Sequence, residues 1–201
     1  MDERQLKQLQ QALDSPAQSA VAASGQQVGS WFAETAPLIQ WEVMESPLGP
    51  LYLAASPRGL CALNFGVGQA SFLERLDPLA QTAHSRTALA PIVEQLQEYF
   101  AGTRRQFDLP LDLERLKPFQ LSVLQTARRI PAGSVWTYGQ MARTVGKPGA
   151  SRAVGQALGR NPLPIVIPCH RVVASDGGLG GYSGGGGLAS KRWLLHLEGA
   201  L

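Results

Sequence analysis

The segment PIVIPCH, residues 164–170, constrains the fold of this chain more than any other stretch. Its apolar run lies between Pro164 and Pro168, and proline cannot donate to the hydrogen-bond ladder of a central strand. The chain is therefore expected to bend here. The bend matters because Cys169 and His170 are adjacent, and neighbours on a regular strand point to opposite faces. Direct contact between these two side chains is not expected, so an ordered water would have to bridge them.

Composition indicates one or two small globular domains. The chain has 201 residues, of which 44% are hydrophobic and 16% charged, so it can bury a core. Residues 1–37 are interpreted as an N-terminal extension that is partly flexible. Leu6, Leu9 and Leu13 have helical spacing there, and a segment rich in Ser, Ala, Gln and Gly follows.

Residues 38–112 predict a small α+β domain. Over residues 40–65, short β-prone runs such as LYLAA alternate with turn pairs, which is typical of a strand meander. Two helical patterns follow, near residues 70–79 and 90–101. The second pattern places three apolar residues on one face: Ile92, Leu96 and Phe100.

Residues 113–201 predict a helix-dominated domain. Its helical patterns lie at residues 119–129, 138–145, 151–160 and 188–197. The middle two have the spacing of a helix-turn-helix, with Gly146 in the turn and Ser151 as the expected N-cap of the second helix. Small side chains would let this second helix approach either a nucleic-acid groove or a neighbouring helix, and both interpretations stay open. These side chains are Ala153, Val154 and Ala157.

Charge is divided unevenly along the chain. Residues 1–116 hold eight Lys and Arg against thirteen Asp and Glu, a net charge of −5, whereas residues 117–201 hold ten against two, a net charge of +8. A basic half of this kind favours a polyanionic partner, since each phosphate neutralised by Lys or Arg releases condensed counterions. The alternative is a basic surface without a partner.

The cysteine content and the apolar runs indicate a soluble protein in a reducing, cytoplasmic setting. The two cysteines lie 108 positions apart, and no tripartite secretory leader opens the sequence. Glycine, proline or charge interrupts every apolar run before the roughly 20 residues that a membrane span needs. Cys61 lies in the run GLCALNF and is expected to be a small buried hydrophobe.

Cys169 is the candidate nucleophile. His170 and Arg171 follow it directly, and an electropositive setting of this kind favours the thiolate. His170 is the candidate base, acting through a water, and a carboxylate is needed to orient its ring. After residue 114 the chain has two acidic residues, Asp176 and Glu198. Glu198 is the expected partner because the apolar pattern WLLHLE can fix its position, whereas Asp176 lies in a glycine-rich loop.

Neither a metal site nor a phosphate-binding loop is expected. The two cysteines and three histidines lack the C-x-x-C or H-x-x-x-H spacing of a structural zinc site. The glycine-rich run DGGLGGYSGGGG lacks the Lys-Ser/Thr ending and the strand-loop-helix order of a P-loop. Its glycines instead suit a flexible wall around a flat ligand, with Tyr182 as a stacking face.

The chain resembles the O6-alkylguanine-DNA alkyltransferases, also called methylated-DNA–protein-cysteine methyltransferases. The resemblance covers about residues 118–199 and rests on four motifs: ASRAVGQALGRNPLPIVIPCHRVV, YSGG…KRWLLHLEG, PFQLSVL and TYGQMA. It implies a ribonuclease-H-like domain at residues 38–112, where the match is weaker. It also implies a helical DNA-binding domain at residues 113–201, with a helix-turn-helix of winged-helix type. No cofactor is implied.

The resemblance implies a reaction as well as a fold. In this family the cysteine matching Cys169 takes the alkyl group from O6-alkylguanine, and by extension from O4-alkylthymine, in a single irreversible turnover. His170 is then expected to reach the thiol through a water, with Glu198 holding His170. Asn161 is expected to brace the turn around Cys169. Tyr138 is expected to donate to guanine N3 as the base leaves.

The resemblance also implies the DNA contacts. Because the alkyl carbon is inaccessible inside the duplex, the nucleotide is flipped out of double-stranded DNA from the minor groove, and Arg152 fills the gap. The carbonyls of Cys169 and Val172 accept from the guanine amino group, and the Ser183 amide donates to O6. Further contacts with the base or the DNA backbone are implied for Tyr182, Ser175, Lys147 and Gln120. The implied protein is a monomer, and cooperative binding along DNA is left open.

The sequence departs from the family pattern at two places. The run Gly184 to Gly187 is two residues longer than usual, which predicts a looser pocket wall that tolerates bulkier alkyl groups. Residues 1–37 have no counterpart.

The fold class leaves two alternative functions open. One alternative is an alkyltransferase-like protein, which binds damaged DNA without transfer and lacks the cysteine, so Cys169 argues against it. The other, a cysteine hydrolase, would need a direct Cys-His pair.

Overall fold

The computed structural model describes residues 36–201, so the helix predicted around Leu6, Leu9 and Leu13 lies outside the described residues. Residues 38–201 form one compact unit, and the division predicted at residue 112 stays a prediction. The expected α+β class is confirmed, with a sheet in the first part of this unit and helices dominating the second.

The sheet has four strands in the order β3-β2-β1-β4. Its strands are β1 (Leu38–Met44), β2 (Leu51–Ser56), β3 (Gly59–Phe65) and β4 (Gln81–His84). The first three form the expected antiparallel meander, and β4 pairs with β1 in parallel. Side chains of β2 alternate between the two faces, as a strand requires, so Leu53 and Ala54 join different apolar clusters.

Helices α1 (Gln69–Leu73) and α2 (Arg86–Phe100) pack on these two clusters. The pattern predicted at residues 70–79 yields only five helical residues, and the chain leaves the helix through turn bonds, with Arg75 N donating to Phe72 O and Leu76 N donating to Leu73 O, both at 3.1 Å. Helix α2 starts earlier than residue 90, since Ser85 Oγ caps it by accepting from Ala88 N at 3.3 Å.

The buried face of α2 differs by one residue from the prediction. Ile92 and Leu96 are buried as expected, but the third buried residue of the face is Tyr99, at 2% exposure, and Phe100 is half-buried. Tyr99 packs against the rings of Phe100 and Phe107, with centroids 5.5 and 5.3 Å away. Its hydroxyl therefore points to a polar partner inside the protein.

The second part contains four helices and a short parallel strand pair. The helices are α3 (Pro118–Ala127), α4 (Tyr138–Thr144), α5 (Ser151–Gly159) and α6 (Leu188–Glu198). The strands are β5 (Trp136–Thr137) and β6 (Val172–Val173). None of the helices within residues 36–201 is long and apolar enough to cross a membrane.

Helices α4 and α5 form the predicted helix-turn-helix. Thr137 and Gln140 make a capping box at the start of α4, where Gln140 N donates to Thr137 Oγ1 at 3.1 Å and Thr137 N donates to Gln140 Oε1. The prediction that Ser151 caps α5 is wrong. Helical hydrogen bonding starts one residue earlier, with Val154 N donating to the carbonyl of Ala150 at 2.9 Å, so Ser151 is already inside the helix.

One hydrophobic core joins the sheet to the helices. Leu53 and Leu63 from the sheet, Leu96 from α2, Val123 from α3 and Leu194 from α6 belong to the same buried cluster. The main chain is also connected, because Leu63 N donates to Pro162 O at 2.9 Å. The sheet edge is thereby fixed against the segment that leads into Cys169.

Candidate active site

The PIVIPCH segment is a buried, hydrogen-bonded turn. Its bend occurs at Ile165, whose φ of 76° lies in the left-handed region that β-branched residues rarely adopt. Ile167 N donates to Leu163 O at 2.8 Å. The Asn161 side chain closes the same turn, since Nδ2 donates to Ile167 O at 2.8 Å and Oδ1 accepts from Leu163 N at 3.0 Å. The chain then enters a 3₁₀ turn at Cys169–Arg171.

Cys169 borders a cavity of about 680 Å³, which we call the reaction pocket. The volume falls within the range of small-molecule sites. Side chains of α5, the start of α4 and the glycine-rich loop line it, among them Tyr138, Arg152, Gln156, Tyr182 and Ser183. The pocket therefore opens beside the second helix of the helix-turn-helix.

The Cys169 side chain is a neutral thiol at rest, and the expectation that its setting favours the thiolate is wrong. The residue is only 6% exposed, and burial raises the pKa of the thiol. Asn161 Nδ2 donates to Sγ at 3.3 Å and Lys191 supplies a positive charge, both of which lower the pKa without cancelling the effect of burial. The thiol needs a base before it can react.

His170 is held by Glu198 in the interior, 28 residues away in sequence. His170 Nε2 lies 2.9 Å from Glu198 Oε1, and both side chains are buried. An ionised carboxylate can only accept, so Nε2 carries the proton and Nδ1 of the neutral ring is an acceptor. Nδ1 is buried and has no hydrogen-bond partner among the described residues. The ring therefore presents a free acceptor in the interior next to Cys169 in the chain.

Four hydrogen bonds keep Glu198 ionised. Its Oε1 accepts from His170 Nε2, from Arg171 Nη2 at 2.7 Å and from the Tyr99 hydroxyl at 2.7 Å, while Oε2 accepts from Arg171 Nε at 2.8 Å. Burial alone would raise the pKa of this carboxyl, but the hydrogen bonds from His170 and Arg171 outweigh it and lower the pKa to about 2. Glu198 is an anion throughout the neutral range.

The same surroundings keep His170 neutral. Burial is the largest influence and lowers the pKa of the imidazole, and the positive charges of Arg171 and Lys191 lower it further. The hydrogen bond and charge of Glu198 act in the opposite direction without cancelling these effects. At neutral pH His170 is thus able to accept a proton at Nδ1 and to be stabilised as a cation by Glu198.

Lys191 is a buried cation that the sequence did not single out. Its Nζ donates to Val172 O at 2.5 Å and to Gly181 O at 3.3 Å, which ties the β6 strand to the glycine-rich loop. Burial lowers its pKa to about 8, although the nearby Cys169 sulfur acts in the opposite direction. The Val172 carbonyl has a second lone pair, so its predicted contact with a guanine amino group stays a prediction.

Tyr138 and Tyr182 form two sides of the reaction pocket. Tyr138 lies between Gly155 of α5 and Gly180 of the loop, and a Cβ on Gly180 would approach the Tyr138 ring to 2.9 Å. The Tyr138 hydroxyl donates to Gly181 O at 3.3 Å, and burial raises its pKa, so it remains a proton donor. The Tyr182 hydroxyl is buried without a partner in the part of the chain that the structure describes.

Two family descriptions match most of the chain. The description "6-O-methylguanine DNA methyltransferase, ribonuclease-like domain" matches residues 39–113, and "6-O-methylguanine DNA methyltransferase, DNA binding domain" matches residues 118–200. The chain belongs to the 6-O-methylguanine DNA methyltransferase family. The family expected from the sequence motifs is thereby confirmed.

Curated relatives of this methyltransferase family align over four fifths of the chain. The methylated-DNA–protein-cysteine methyltransferase of Methanosarcina acetivorans is 39% identical over 160 residues, covering 80% of this chain and 98% of the relative. The one from Mycobacterium tuberculosis is 43% identical over 169 residues, covering 80% and 93%. Among solved structures, Mycobacterium tuberculosis OGT in complex with DNA superposes with a TM-score of 0.67 at 38% identity, covering 81% of this chain and 93% of that one.

The methyltransferase fold brings only some of the expected DNA-contacting residues to the reaction pocket. Arg152 and Ser183 line the pocket and are exposed. Ser175 is exposed in a turn closed by Ala174 N donating to Gly178 O, and Lys147 is exposed between α4 and α5. Gln120 uses its side chain internally, since Nε2 donates to the Arg160 carbonyl at 2.8 Å. A direct contact of Gln120 with DNA would have to use its remaining atoms.

The small residues of α5 divide between the two interpretations that the sequence left open. Val154 and Ala157 are buried and pack within the core, so they bring α5 close to neighbouring helices. Ala153 and Gly159 are exposed, and Gly155 faces the reaction pocket. The outer surface of α5 is thus free of bulky side chains apart from Arg152, Gln156 and Arg160.

The glycine run does not form a loose wall at Gly184 and Gly185, contrary to the prediction. A Cβ on Gly185 would lie 2.2 Å from the Phe65 carbonyl oxygen and 2.7 Å from Gly66 Cα. A Cβ on Gly184 would lie 2.5 Å from Tyr182. Glycine is required because the loop backbone packs directly on the end of β3. Within residues 36–201, no cluster of three His, Cys, Asp or Glu is arranged to hold a metal ion.

Proposed function

We propose that this chain repairs DNA by transferring the alkyl group of O6-alkylguanine to Cys169. One observation carries the proposal: a buried cysteine borders a pocket of about 680 Å³, large enough for an extruded base, next to the second helix of a helix-turn-helix, with a neutral histidine and an ionised glutamate behind it. The curated relatives with this architecture are named methylated-DNA–protein-cysteine methyltransferases. O4-alkylthymine is a second proposed substrate.

The first step is loss of the thiol proton. Since burial raises the pKa of Cys169, the proton passes through a bridging water to His170 Nδ1, the unpaired acceptor of the ring. Glu198 then holds the imidazolium through Nε2. The buried carboxylate thereby stabilises the charge pair of thiolate and imidazolium that precedes attack.

The second step is attack of Sγ on the alkyl carbon. The bond between that carbon and guanine O6 breaks as the S–C bond forms, and the electron pair moves to the base. Tyr138 gives a proton to guanine N3, which its raised pKa permits because the hydroxyl is still protonated at neutral pH. The Tyr138 phenolate then regains a proton through solvent as His170 releases the proton it took from Cys169, and solvent exchange moves the guanine proton from N3 to N1, so that one proton leaves the thiol and one reaches the guanine. The products are a thioether and an unmodified base.

The reaction ends after one turnover. A thioether sulfur is not a leaving group for water under neutral conditions, and no cofactor or second thiol is needed for the transfer. Cys61 cannot regenerate Cys169, since it is held elsewhere by donating Sγ–H to Ala54 O at 3.2 Å, and burial raises its pKa to about 11. The sequence expectation that Cys61 is buried is only partly met, because the residue is half-buried.

DNA engagement is assigned to α5 and to the basic residues beside the reaction pocket. The alkyl carbon is inaccessible in a duplex, so the nucleotide must be extruded, at a cost of a few kcal/mol. Minor-groove entry suits the small outer residues of α5, and Arg152 at the pocket edge would fill the gap in the stack. We propose that the protein acts as a monomer on double-stranded DNA inside the cell.

Intact-mass measurement after incubation with duplex DNA containing O6-methylguanine tests the proposal. The wild-type chain is expected to gain one methyl group, and Cys169→Ala to gain none. Cys61→Ala is the matched control and is expected to gain the methyl group like the wild type. An unchanged wild-type mass together with tight binding to the damaged duplex would contradict transfer and favour the alternative, a protein that binds damage without repairing it.

A further inference from the structure

A second cavity, of about 380 Å³, adjoins the reaction pocket. It lies between the end of β3 and the glycine run, and its lining includes Asn64, Gly66, Arg75, Arg160 and Gly185. It shares Gly159 and Ser183 with the reaction pocket. The two cavities are therefore neighbours.

The second cavity is positively charged. Arg75 and Arg160 line it, and no Asp or Glu does, not even Glu74, which precedes Arg75 in sequence. Both arginines are exposed, and neither forms an ion pair with any residue of the described range. By contrast, Arg58 and Arg115 on the same part of the chain are paired with carboxylates.

Main chain of the glycine run also lines this cavity. The glycine run packs against Phe65 and Gly66 so closely that side chains are excluded, and the loop faces the cavity with backbone instead. The amides of Gly184 and Gly185 donate no hydrogen bond to the described protein atoms. Glycine-rich backbone beside guanidinium groups is suited to an anion that accepts several hydrogen bonds at once.

We infer that this cavity binds a DNA phosphate next to the extruded nucleotide. The inference rests on the proposed function, since a nucleotide that enters the reaction pocket brings its flanking phosphodiester groups to the pocket edge, where Gly159 and Ser183 belong to both cavities. The guanidinium fork matches two phosphate oxygens, which favours phosphate over a small spherical anion.

The inference extends the DNA-binding surface beyond the basic half of the chain. Arg75 follows α1 in the ribonuclease-like part, whose net charge is negative, whereas Arg160 follows α5. A single phosphate held by both residues would connect the two parts of the chain through the DNA. The added glycines then have a role, because they allow the loop to reach the end of β3, next to the cavity that Arg75 lines.

The salt dependence of DNA binding tests the inference. Dissociation constants for a duplex containing O6-methylguanine are measured at several salt concentrations for Arg75→Gln, Arg160→Gln and the double variant. Each single variant is expected to weaken binding about three- to tenfold at low salt and to reduce the slope of log K against log salt by about 0.9. The rate of reaction with free O6-benzylguanine, which has no phosphate, is expected to stay unchanged.

Arg128→Gln is the matched control. It removes the same charge from an exposed arginine that lines a different cavity, together with Ile165 and Pro168. If Arg128→Gln reduces the slope as much as the other variants, or if none of them changes it, the inference is wrong. The inference is also wrong if inorganic phosphate stabilises the wild type but not the double variant, while the two proteins bind DNA with the same affinity. The cavity would then bind phosphate ions but not a phosphate of DNA. A wild-type chain that binds DNA without gaining a methyl group would instead contradict the proposed function.

Discussion

The Tyr99 hydroxyl donates a 2.7 Å hydrogen bond to Glu198 Oε1, and the two residues are separated by 99 positions. Tyr99 lies on α2, within the ribonuclease-like part, whereas Glu198 ends the last helix. Burial raises the pKa of Tyr99 far above its usual value, so the hydroxyl donates at every accessible pH. The first part of the chain thereby contributes a polar atom directly to the carboxylate that holds His170.

We expect Tyr99→Phe to shift the pH profile of alkyl transfer. Loss of one donor leaves Glu198 more basic, which strengthens its hold on protonated His170 and raises the pKa of that ring. The acid limb of the rate against pH should therefore move to higher pH, measured with free O6-benzylguanine. The lost bond to a charged group should also cost about 1–3 kcal/mol of unfolding free energy.

Tyr52→Phe is the control for that experiment. Tyr52 stacks on Phe72 on the far face of the sheet. The substitution therefore removes the same hydroxyl oxygen without changing a contact of Glu198. Its pH profile should coincide with that of the wild type. A Tyr99→Phe profile that also coincides with the wild type would mean that the hydroxyl only stabilises the fold.

Arg152→Ala should separate extrusion of the base from the chemistry. Because Arg152 is exposed at the edge of the reaction pocket, its loss should lower the repair rate of duplex DNA by about 10- to 100-fold, the equivalent of a few kcal/mol of unstacking. Reaction with free O6-benzylguanine should change less than about twofold, since no base pair has to open. Single-turnover rates on both substrates give the comparison, and equal losses would show that Arg152 does not act on the DNA stack.

The folded protein should lose stability in acid in two steps. His170 has a pKa below its ordinary 6.5 in the folded state, so the unfolded chain binds its proton first and stability falls as the pH drops below about 6.5. Glu198 has a pKa of about 2 against an ordinary 4.5, so a further loss on the order of 3 kcal/mol should follow between those two pH values.

Urea unfolding at pH 7, 5.5, 4 and 3 checks the two steps. His170→Asn should remove the first step, whereas His84→Asn, which changes an exposed histidine on the sheet, should retain it. Stability that stays constant down to pH 4 in the wild type would contradict the assignment of a buried neutral His170.

Alkylation of Cys169 should lower the melting temperature. The thiol is 6% exposed and accepts from Asn161, so an added methyl group displaces this bond and overfills the site, at about 1–3 kcal/mol. For a chain of this size, that corresponds to roughly 2 to 12 °C. The measurement is thermal unfolding before and after complete reaction, with Cys169→Ala given the same DNA as the control. An equal midpoint for the alkylated and free forms would contradict the tight packing at the sulfur.

Sequence motifs predicted the family, the meander, the helix-turn-helix and the pairing of His170 with Glu198, because each depends on local patterns or on a small set of candidates. Tyr99 and Lys191 were missed for a common reason. In sequence, Tyr99 has the helical spacing of a core residue, and Lys191 has the pattern of a surface residue on an amphipathic helix. Only tertiary packing brings Tyr99 to Glu198 and Lys191 to Val172.

The protonation state of Cys169 could not be predicted from the sequence either. His170 and Arg171 beside the thiol predicted a thiolate, but the burial of Cys169 depends on how the turn at Ile165 packs, and burial outweighs the nearby charges. The glycine run was misinterpreted similarly. Its composition indicated looseness, whereas its contact with Phe65 makes the same glycines a condition for close packing.

Asn161 Nδ2 donates both to the Cys169 sulfur and to the Ile167 carbonyl. One amide group is therefore shared between the reacting atom and the main chain that positions it. A change in the chemical state of the sulfur is therefore expected to affect the hydrogen bond to the Ile167 carbonyl, in the turn that bends at Ile165. If the proposed transfer takes place, alkylation of Cys169 is therefore expected to change how this buried turn of the main chain is closed.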